Sequence, residues 1–512
     1  MRDTSENLDA IAGKRDQLVS KVIVSIDRIP MPLSNSLART ALLGAVLALC
    51  STALHAQEEG GAPLKVPKSW EAKPSDPAIA PSTEKPSPSE PKQPKNYALP
   101  ALEIIGFDVL LNQYDRRVYV SEFNSNLTSI NNNLRGSWVT DDDPYKVNQI
   151  GHPYQGSMYH GFARSAGLSY WESAGYTFAG SALWEVAGET TRPSYNDQIA
   201  SGIAGSFFGE ALFRMASLVL EQGGGMSPSW REWTASAISP SMGFNRHVKG
   251  YKSIFSSRNA PYYSRLSLGY SSETQNIAGS STNVKANEAQ ADFSLDYGMP
   301  GKSGYEYTRP FDYFTLQATA TSANLFESIM TRGLLYGKNY EAGSNYRGVW
   351  GVYGSYDYIA PQIYRISSTA LSLGTTGQSW LSKNIALQGT GLVGAGYAAV
   401  GTSHSSAEGE YHYGVEPQAL LALRLIIGNK ASIDLTGREY FVVTPNEERD
   451  NIMRTDIAFT WRILRQHAVS LRYLWNRRDA TYTTLGDVTQ SRTTLGIYYT
   501  MLGSDRFGAV DW

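Results

Sequence analysis

From about Tyr262 to Leu502 the chain alternates apolar and polar residues with a period of two. Ala291, Phe293, Leu295 and Tyr297 alternate with Asp292, Ser294, Asp296 and Gly298. Ile457, Phe459, Trp461 and Ile463 do so with Asp456, Ala458, Thr460 and Arg462, and Leu495, Ile497, Tyr499 and Met501 with Thr494, Gly496, Tyr498 and Thr500. A period of two places successive side chains on opposite faces of a strand, so each segment owns one apolar and one polar face. Turn-like breaks separate the segments, as at 321–324, 428–430 and 445–451. Strand starts fall near residues 262, 287, 311, 325, 346, 362, 385, 411, 431, 451, 468 and 491. About twelve antiparallel strands, an even number, can close into a barrel without an open edge.

A soluble β-sandwich would hide the apolar face and show the charges to water. Here charge recurs on one face through nearly every strand: Arg265, Asp292, Asp296, Arg347, Arg365, Arg424, Asp434, Arg438, Asp456, Arg462 and Arg472. That pattern fits a wet lumen inside an apolar outer wall. Composition agrees: charged residues are 18% of the chain, aromatic residues 12%, with 32 Tyr, 11 Trp and 47 Gly. A net charge of -2 carries no nucleic-acid footprint. The last strand, RTTLGIYYTM, resembles the terminal signal read by the outer-membrane insertion machinery, with Gly496, Tyr499 and Met501 at the expected offsets.

Four segments are expected along the 512 residues. Residues 1–56 hold an N-terminal extension and a secretory signal, with the apolar run Ala41 to Ala56, Arg39 before it and cleavage after Ala56. The single cysteine, Cys50, lies inside that run. Residues 57–96, rich in Pro, Lys, Glu and Ser, cannot bury enough apolar surface to offset ordering entropy and read as a disordered tether. Its lysines could touch cell wall. Residues 97–255 form a helical domain and 256–512 the barrel. Asp141, Asp142 and Asp143 precede Pro144 and read as a solvated turn.

Three helices are expected over 153–221. Pro153 opens the first, Ser169 and Glu172 supply a capping box for the second, and Ser194 with Asp197 caps the third. Gly202, Gly205 and Gly209 lie at helical spacing, which suits close approach of a second backbone, and Gly175, Ala179 and Ala182 give the second helix a matching small stripe. Glu172, Glu185 and Glu210 interrupt the apolar runs, so no helix is expected to span lipid. Glu210 and Arg214, four apart, can pair on one helix face. That leaves His152, His160 and Glu185 without a local task. Two His and a Glu could hold a metal or do acid–base chemistry, but no HExxH, GxSxG or CxxC spacing supports either. No metal and no cofactor is expected.

The run GHPYQGSMYHGFARS, then SYWESAGYTFAGSALWE, then PSYNDQIASGIAGSFFGE, resembles a family of uncharacterised bacterial proteins with a signal peptide and an outer-membrane barrel, known as a domain of unknown function. The resemblance covers about residues 97–240 and implies an envelope location. Its motif residues here are His160, Trp171, Glu172, Trp184, Asn196, Asp197 and Arg214.

The expectation is therefore an α+β membrane protein: a small N-terminal helical bundle and a C-terminal transmembrane β-barrel in the outer membrane of a Gram-negative bacterium. The helices would be a periplasmic or luminal plug or adaptor, in envelope transport or organisation. One alternative is an envelope enzyme acting on lipid or cell wall through His152 and Glu185, with His160 or Glu210 assisting. Another is a docking module for a second envelope protein. Expected partners are outer-membrane lipid and the barrel-insertion machinery.

Overall fold

The computed structural model describes residues 95–512 apart from 119–121, 142, 224, 251–259, 277–282, 403–410, 445–447 and 483–485. The expected signal, Cys50, the tether through residue 94 and Asp142 lie outside the described residues.

Twelve strands close into an antiparallel barrel. They are β1 Tyr262–Asn276, β2 Asn283–Tyr297, β3 Phe314–Thr321, β4 Ser328–Ala342, β5 Tyr346–Ile359, β6 Tyr364–Ser382, β7 Ile385–Thr402, β8 Tyr411–Ile427, β9 Ala431–Val443, β10 Arg449–Leu464, β11 His467–Tyr482 and β12 Gly486–Leu502. Each pairs with its neighbour in sequence, and β1 closes on β12 with Leu268 opposite Tyr499.

Side-chain parity then sorts the wall. Asp357 faces inward, 3.1 Å from Arg332 and 3.4 Å from Arg438. Asp434 takes Arg424 at 2.6 Å and Arg265 at 3.0 Å, and Arg424 reaches on to Asp296 at 2.7 Å. Arg472 joins Asp292 to Asp456. These pairs cross the barrel around an interior cavity of about 170 Å³. Leu268, Tyr270, Leu371, Leu373, Val393 and Ile497 point the other way and are exposed. Arg365 departs from the expected inward set. It lies on the outer wall, its guanidinium 4.5 Å from the centre of the Tyr145 ring, where cation–π attraction replaces a luminal partner.

The chain itself enters both mouths. Beyond β12 it turns through a short 3₁₀ turn, Asp505–Gly508, and Phe507 is fully buried against Tyr263, Ala386, Ile426 and Ala468. Gln378 brackets Val510 with two bonds, Nε2–H to the carbonyl at 2.7 Å and Oε1 from the amide at 2.9 Å. At the opposite rim the β5–β6 turn is held inside. Arg492 donates to the Pro361 carbonyl at 2.6 Å and pairs with Glu273 and Glu288, while Gln362 donates to Glu288 at 2.6 Å.

The described residues also form seven helices: α1 Ala98–Val118, α2 Leu127–Arg135, α3 His152–Ser165, α4 Tyr170–Leu183, α5 Tyr195–Gln222, α6 Pro228–Ile238 and α7 Pro240–Val248. The capping box of Ser169 and Glu172 is present at α4, and Ser194 Oγ accepts the Asp197 amide at α5. Pro153 lies in the first turn of α3, as expected. A π-helical turn, Val147–Gly151, precedes α3, and the His152 amide bonds back to Val147. A wide turn of this kind tolerates the N–H that proline lacks.

Gly156 of α3 and Gly205 of α5 meet backbone to backbone: a Cβ on Gly205 would lie 2.6 Å from the Gly156 Cα. The small stripe expected on α4 is absent from this contact, since Gly175 and Ala179 are exposed; Gly180 instead meets the Tyr159 ring.

The helices meet the barrel on its outer wall. Gly354 and Tyr356 alternate with inward Asp357, so they point outward. A Cβ on Gly354 would lie 2.5 Å from the Phe207 ring, and the Tyr356 hydroxyl donates to the Gln149 carbonyl at 2.5 Å. Phe311, Phe314 and Leu316 pack with Phe213, Met215 and Leu218 of α5. Arg214 donates to Asp312 at 3.0 Å and to the Pro310 carbonyl at 2.5 Å. None of these contacts is luminal: the described helices lie against the outer wall.

Two outcomes follow. Gly354→Leu forces a side chain into the Phe207 ring, whereas Gly391 on the same outer wall has open space beside it. Limited proteolysis should therefore show a loosened helical domain in Gly354→Leu and an unchanged one in Gly391→Leu, with both barrels folded. Removing residues 503–512 empties one mouth and should raise small-solute flux in liposome swelling above that of the full chain.

Candidate functional site

Helices α3, α4 and α5 build two buried polar clusters of opposite electrical character. The first gathers His152 from α3, Glu185 from the π-helical turn Trp184–Gly188 that extends α4, Glu189 just after it, and Asp197 from the first turn of α5. Ligand atoms of His152, Glu185 and Glu189 all lie within 4.8 Å of one another, and all three residues are buried. His152 Nε2 is 3.7 Å from Asp197 Oδ1, and its Nδ1 is 3.1 Å from Ser201 Oγ. Glu185 accepts the Ser194 amide at 2.8 Å. Glu189 accepts from Trp184 Nε1 at 2.7 Å and Thr191 Oγ1 at 3.0 Å.

Burial dominates the protonation of this group. It pushes Glu185 well above the usual carboxylate range, with Glu189 adding repulsion. It lifts Glu189 to about 7 and lowers His152 to about 4.

A polar bridge ties this cluster to the wall. Asp141 accepts from Asn148 at 2.7 Å and Asn196 at 2.6 Å. The same two amides donate to the outward hydroxyls of Tyr411, at 2.8 Å, and Tyr413, at 2.9 Å. Asp141 is thus half-buried and structural, not a solvated turn residue.

The second cluster centres on fully buried Glu210. Arg164 Nε donates at 2.7 Å, Arg214 Nε at 2.7 Å, and His160 Nε2 lies at 3.1 Å. The two guanidinium groups neutralise the buried carboxylate, and the His160 contact adds to its hydrogen bonding. Burial lowers His160 against the pull of Glu210.

The structure thus brings His152 and Glu185 together and leaves Glu210 elsewhere. Asp197 and Glu210 stand thirteen positions apart along α5, about 20 Å along the axis. His160 goes with Glu210, so it cannot join His152 and Glu185. Trp171 is 62% exposed and faces away from both clusters. Glu172 binds Lys95 at 2.8 Å and Tyr97 at 2.7 Å. Trp184 holds Glu189, and Asn196 links the site to Tyr413. Sequence reasoning missed Glu189. It follows Glu185 by four, a same-face spacing, but Gly188 and Pro193 disguise it as a helix end.

Residues 137–241 match the model of a family described as Domain of unknown function (DUF3943). That stretch contains both clusters. No curated protein matches the chain. Among solved structures it is similar to the NanC porin, at 6% identity over 45% of this chain and 98% of that one, with a TM-score of 0.25. It is similar to the outer membrane channel DcaP of Acinetobacter baumannii, at 8% identity over 48% and 99%, with a TM-score of 0.23. It is also similar to an outer membrane channel from Pseudomonas putida F1, at 9% identity over 48% and 95%, with a TM-score of 0.26. Likenesses this slight say nothing of what this chain does.

Glu210→Gln leaves two guanidinium groups buried with weakened pairing and should cost about 3–5 kcal/mol, read as a lower melting temperature of the helical circular-dichroism signal. His160, held below its unfolded value of about 6.5, contributes stability that is lost as pH falls from there. His160→Gln keeps a donor for Glu210 and should flatten that loss in melts between about pH 8 and 5.5.

Proposed function

We propose that the chain is an outer-membrane barrel of a Gram-negative envelope that mounts its helical domain on the lipid-facing wall and serves envelope organisation, with the barrel as anchor and not as conduit. The observation that carries this is the direction of contact. Phe207, Gln149 and Asn196 engage wall residues that point outward, while ion pairs cross the lumen and the chain's own segments occupy its mouths.

The membrane reading rests on the wall itself. Leu371, Leu373, Val393, Val415, Leu495 and Ile497 are all more than half exposed. A row of aliphatic residues around a closed barrel needs an apolar neighbour. In that setting the helices take the place of acyl chains beside β3 to β8. Helix α5, 28 residues long, contains an 18-residue window apolar enough to cross a membrane, and 72% of that window is buried against the rest of the protein. From Asn196, which meets Tyr413 at one rim, to Arg214, which meets Asp312 at the other, it runs roughly 27 Å at about 1.5 Å per residue. Glu210 interrupts that run at little cost because Arg164 and Arg214 neutralise it inside the bundle. On the outer side, α1 exposes Leu102, Ile105, Val109 and Leu110. The helical domain is then an adaptor at bilayer depth.

Alkaline carbonate washing should leave the full chain in the outer-membrane fraction, and the purified chain in planar bilayers should conduct little. Release by carbonate overturns the membrane placement. A steady large conductance overturns the anchor role.

A second reading is favoured by the meeting of His152, Glu185 and Glu189: an envelope enzyme acting on lipid or cell wall. His152→Ala with Glu185→Ala would then abolish a lipid- or wall-linked phenotype while insertion survives.

A further inference from the structure

We infer that His152, Glu185, Glu189 and Asp197 form a binding site for one divalent transition-metal ion of the Zn²⁺ or Mn²⁺ class. The inference uses contacts within the helical domain alone and stands apart from the membrane placement.

Charge balance is the first ground. Glu210 is answered by two guanidinium groups within hydrogen-bond distance. The hydrogen bonds that reach Glu185, Glu189 and Asp197 come from neutral donors: the Ser194 amide, the Trp184 indole, the Thr191 hydroxyl, and the Ser194 hydroxyl with the Asn196 amide. Three acids buried side by side are costly to ionise, and neutral donors offset that cost only in part. A dication between them supplies a counter-charge.

The second ground is independent of the acids as a group. Glu185 is 2% exposed, and its Oε1 is buried without a hydrogen-bond partner among the described residues. Its sister oxygen, Oε2, takes the Ser194 amide. The two oxygens share one carbon, so Oε1 lies in the same pocket with its lone pairs unused.

The third ground is the surrounding support. Ser201 engages His152 Nδ1 at 3.1 Å, which leaves Nε2 to turn towards Asp197. Trp184 and Thr191 fix the Glu189 carboxylate. Ligands oriented by outer hydrogen bonds of this sort are characteristic of metal sites. One imidazole with carboxylates suits Zn²⁺ or Mn²⁺, whereas Ca²⁺ takes an all-oxygen shell.

The full chain, extracted in detergent and stripped with a chelator, is titrated with ZnCl₂, with MnCl₂, and with CaCl₂ for comparison. One equivalent of Zn²⁺ should bind saturably, Mn²⁺ more weakly, and Ca²⁺ not at all. Glu189→Gln and Asp197→Asn should each weaken Zn²⁺ binding at least about tenfold. Glu306→Gln, an exposed acid on the β2–β3 connection, should leave it unchanged. Should the site variants not insert, the wild type decides alone: Co²⁺ should give a visible absorption band that Zn²⁺ displaces. The spectrum of the free aquo ion, no saturable Zn²⁺ binding, or folded site variants with wild-type affinity would each overturn the proposal.

Discussion

Ring closure between β1 and β12 is the constraint from which the other features descend. Once Leu268 and Tyr499 face each other, the sheet has no terminal strand, and its ladders satisfy most backbone polar groups of the wall, the short β3 pairing with only part of β2 and β4. The outer surface is then free to be apolar. Only such a surface can accept a helical bundle by packing alone, and the contact between Phe207 and Gly354 is of that kind. Closure also fixes parity. A wall residue faces either the lumen or the outside, and that choice decides what the helices can be: they touch Gly354, Tyr356 and Tyr413, so they are cladding.

The lumen and the bundle solve the same electrostatic problem in different ways. Inside the barrel, acids and guanidinium groups alternate across the cavity, as in the series Arg265, Asp434, Arg424 and Asp296. Each charge leaves bulk water but keeps an opposite neighbour. In the bundle, Glu210 is overcompensated by Arg164 and Arg214, with Asp312 on the β2–β3 connection restoring the balance through Arg214. That chain of pairs ties helix to barrel as well as helix to helix. The cluster around His152 has no such arrangement, and its carboxylates are consequently pushed towards neutrality.

Much of this was legible before any coordinates. Alternation gave the number of strands, their approximate starts and the two faces of the wall. Caps at Ser169 and Ser194 placed two helices, and Gly205 announced a close crossing. The pairing of Glu210 with Arg214 followed from their spacing. Three things were not legible. Arg365 shares the parity of outward residues, and its contact with the Tyr145 ring comes from a segment far away in the chain. Asp141 looked like a turn residue because its partners, Asn148 and Asn196, are brought to it by two different helices. His160 and His152 looked equivalent, and only the depth at which α5 crosses α3 assigns one to Glu210 and the other to Asp197.

Local periodicity and capping chemistry are short-range properties, so the sequence by itself determined which residues become strands and helices and which side of each is apolar. Direction between elements is not short-range. Whether the bundle entered the lumen or covered the wall depended on matching Phe207 to a glycine some 147 positions away, and whether four acids and two histidines made one site or two depended on the register of α3 against α5. The tertiary structure decided both, because each is a contact between segments that no spacing along the chain can encode.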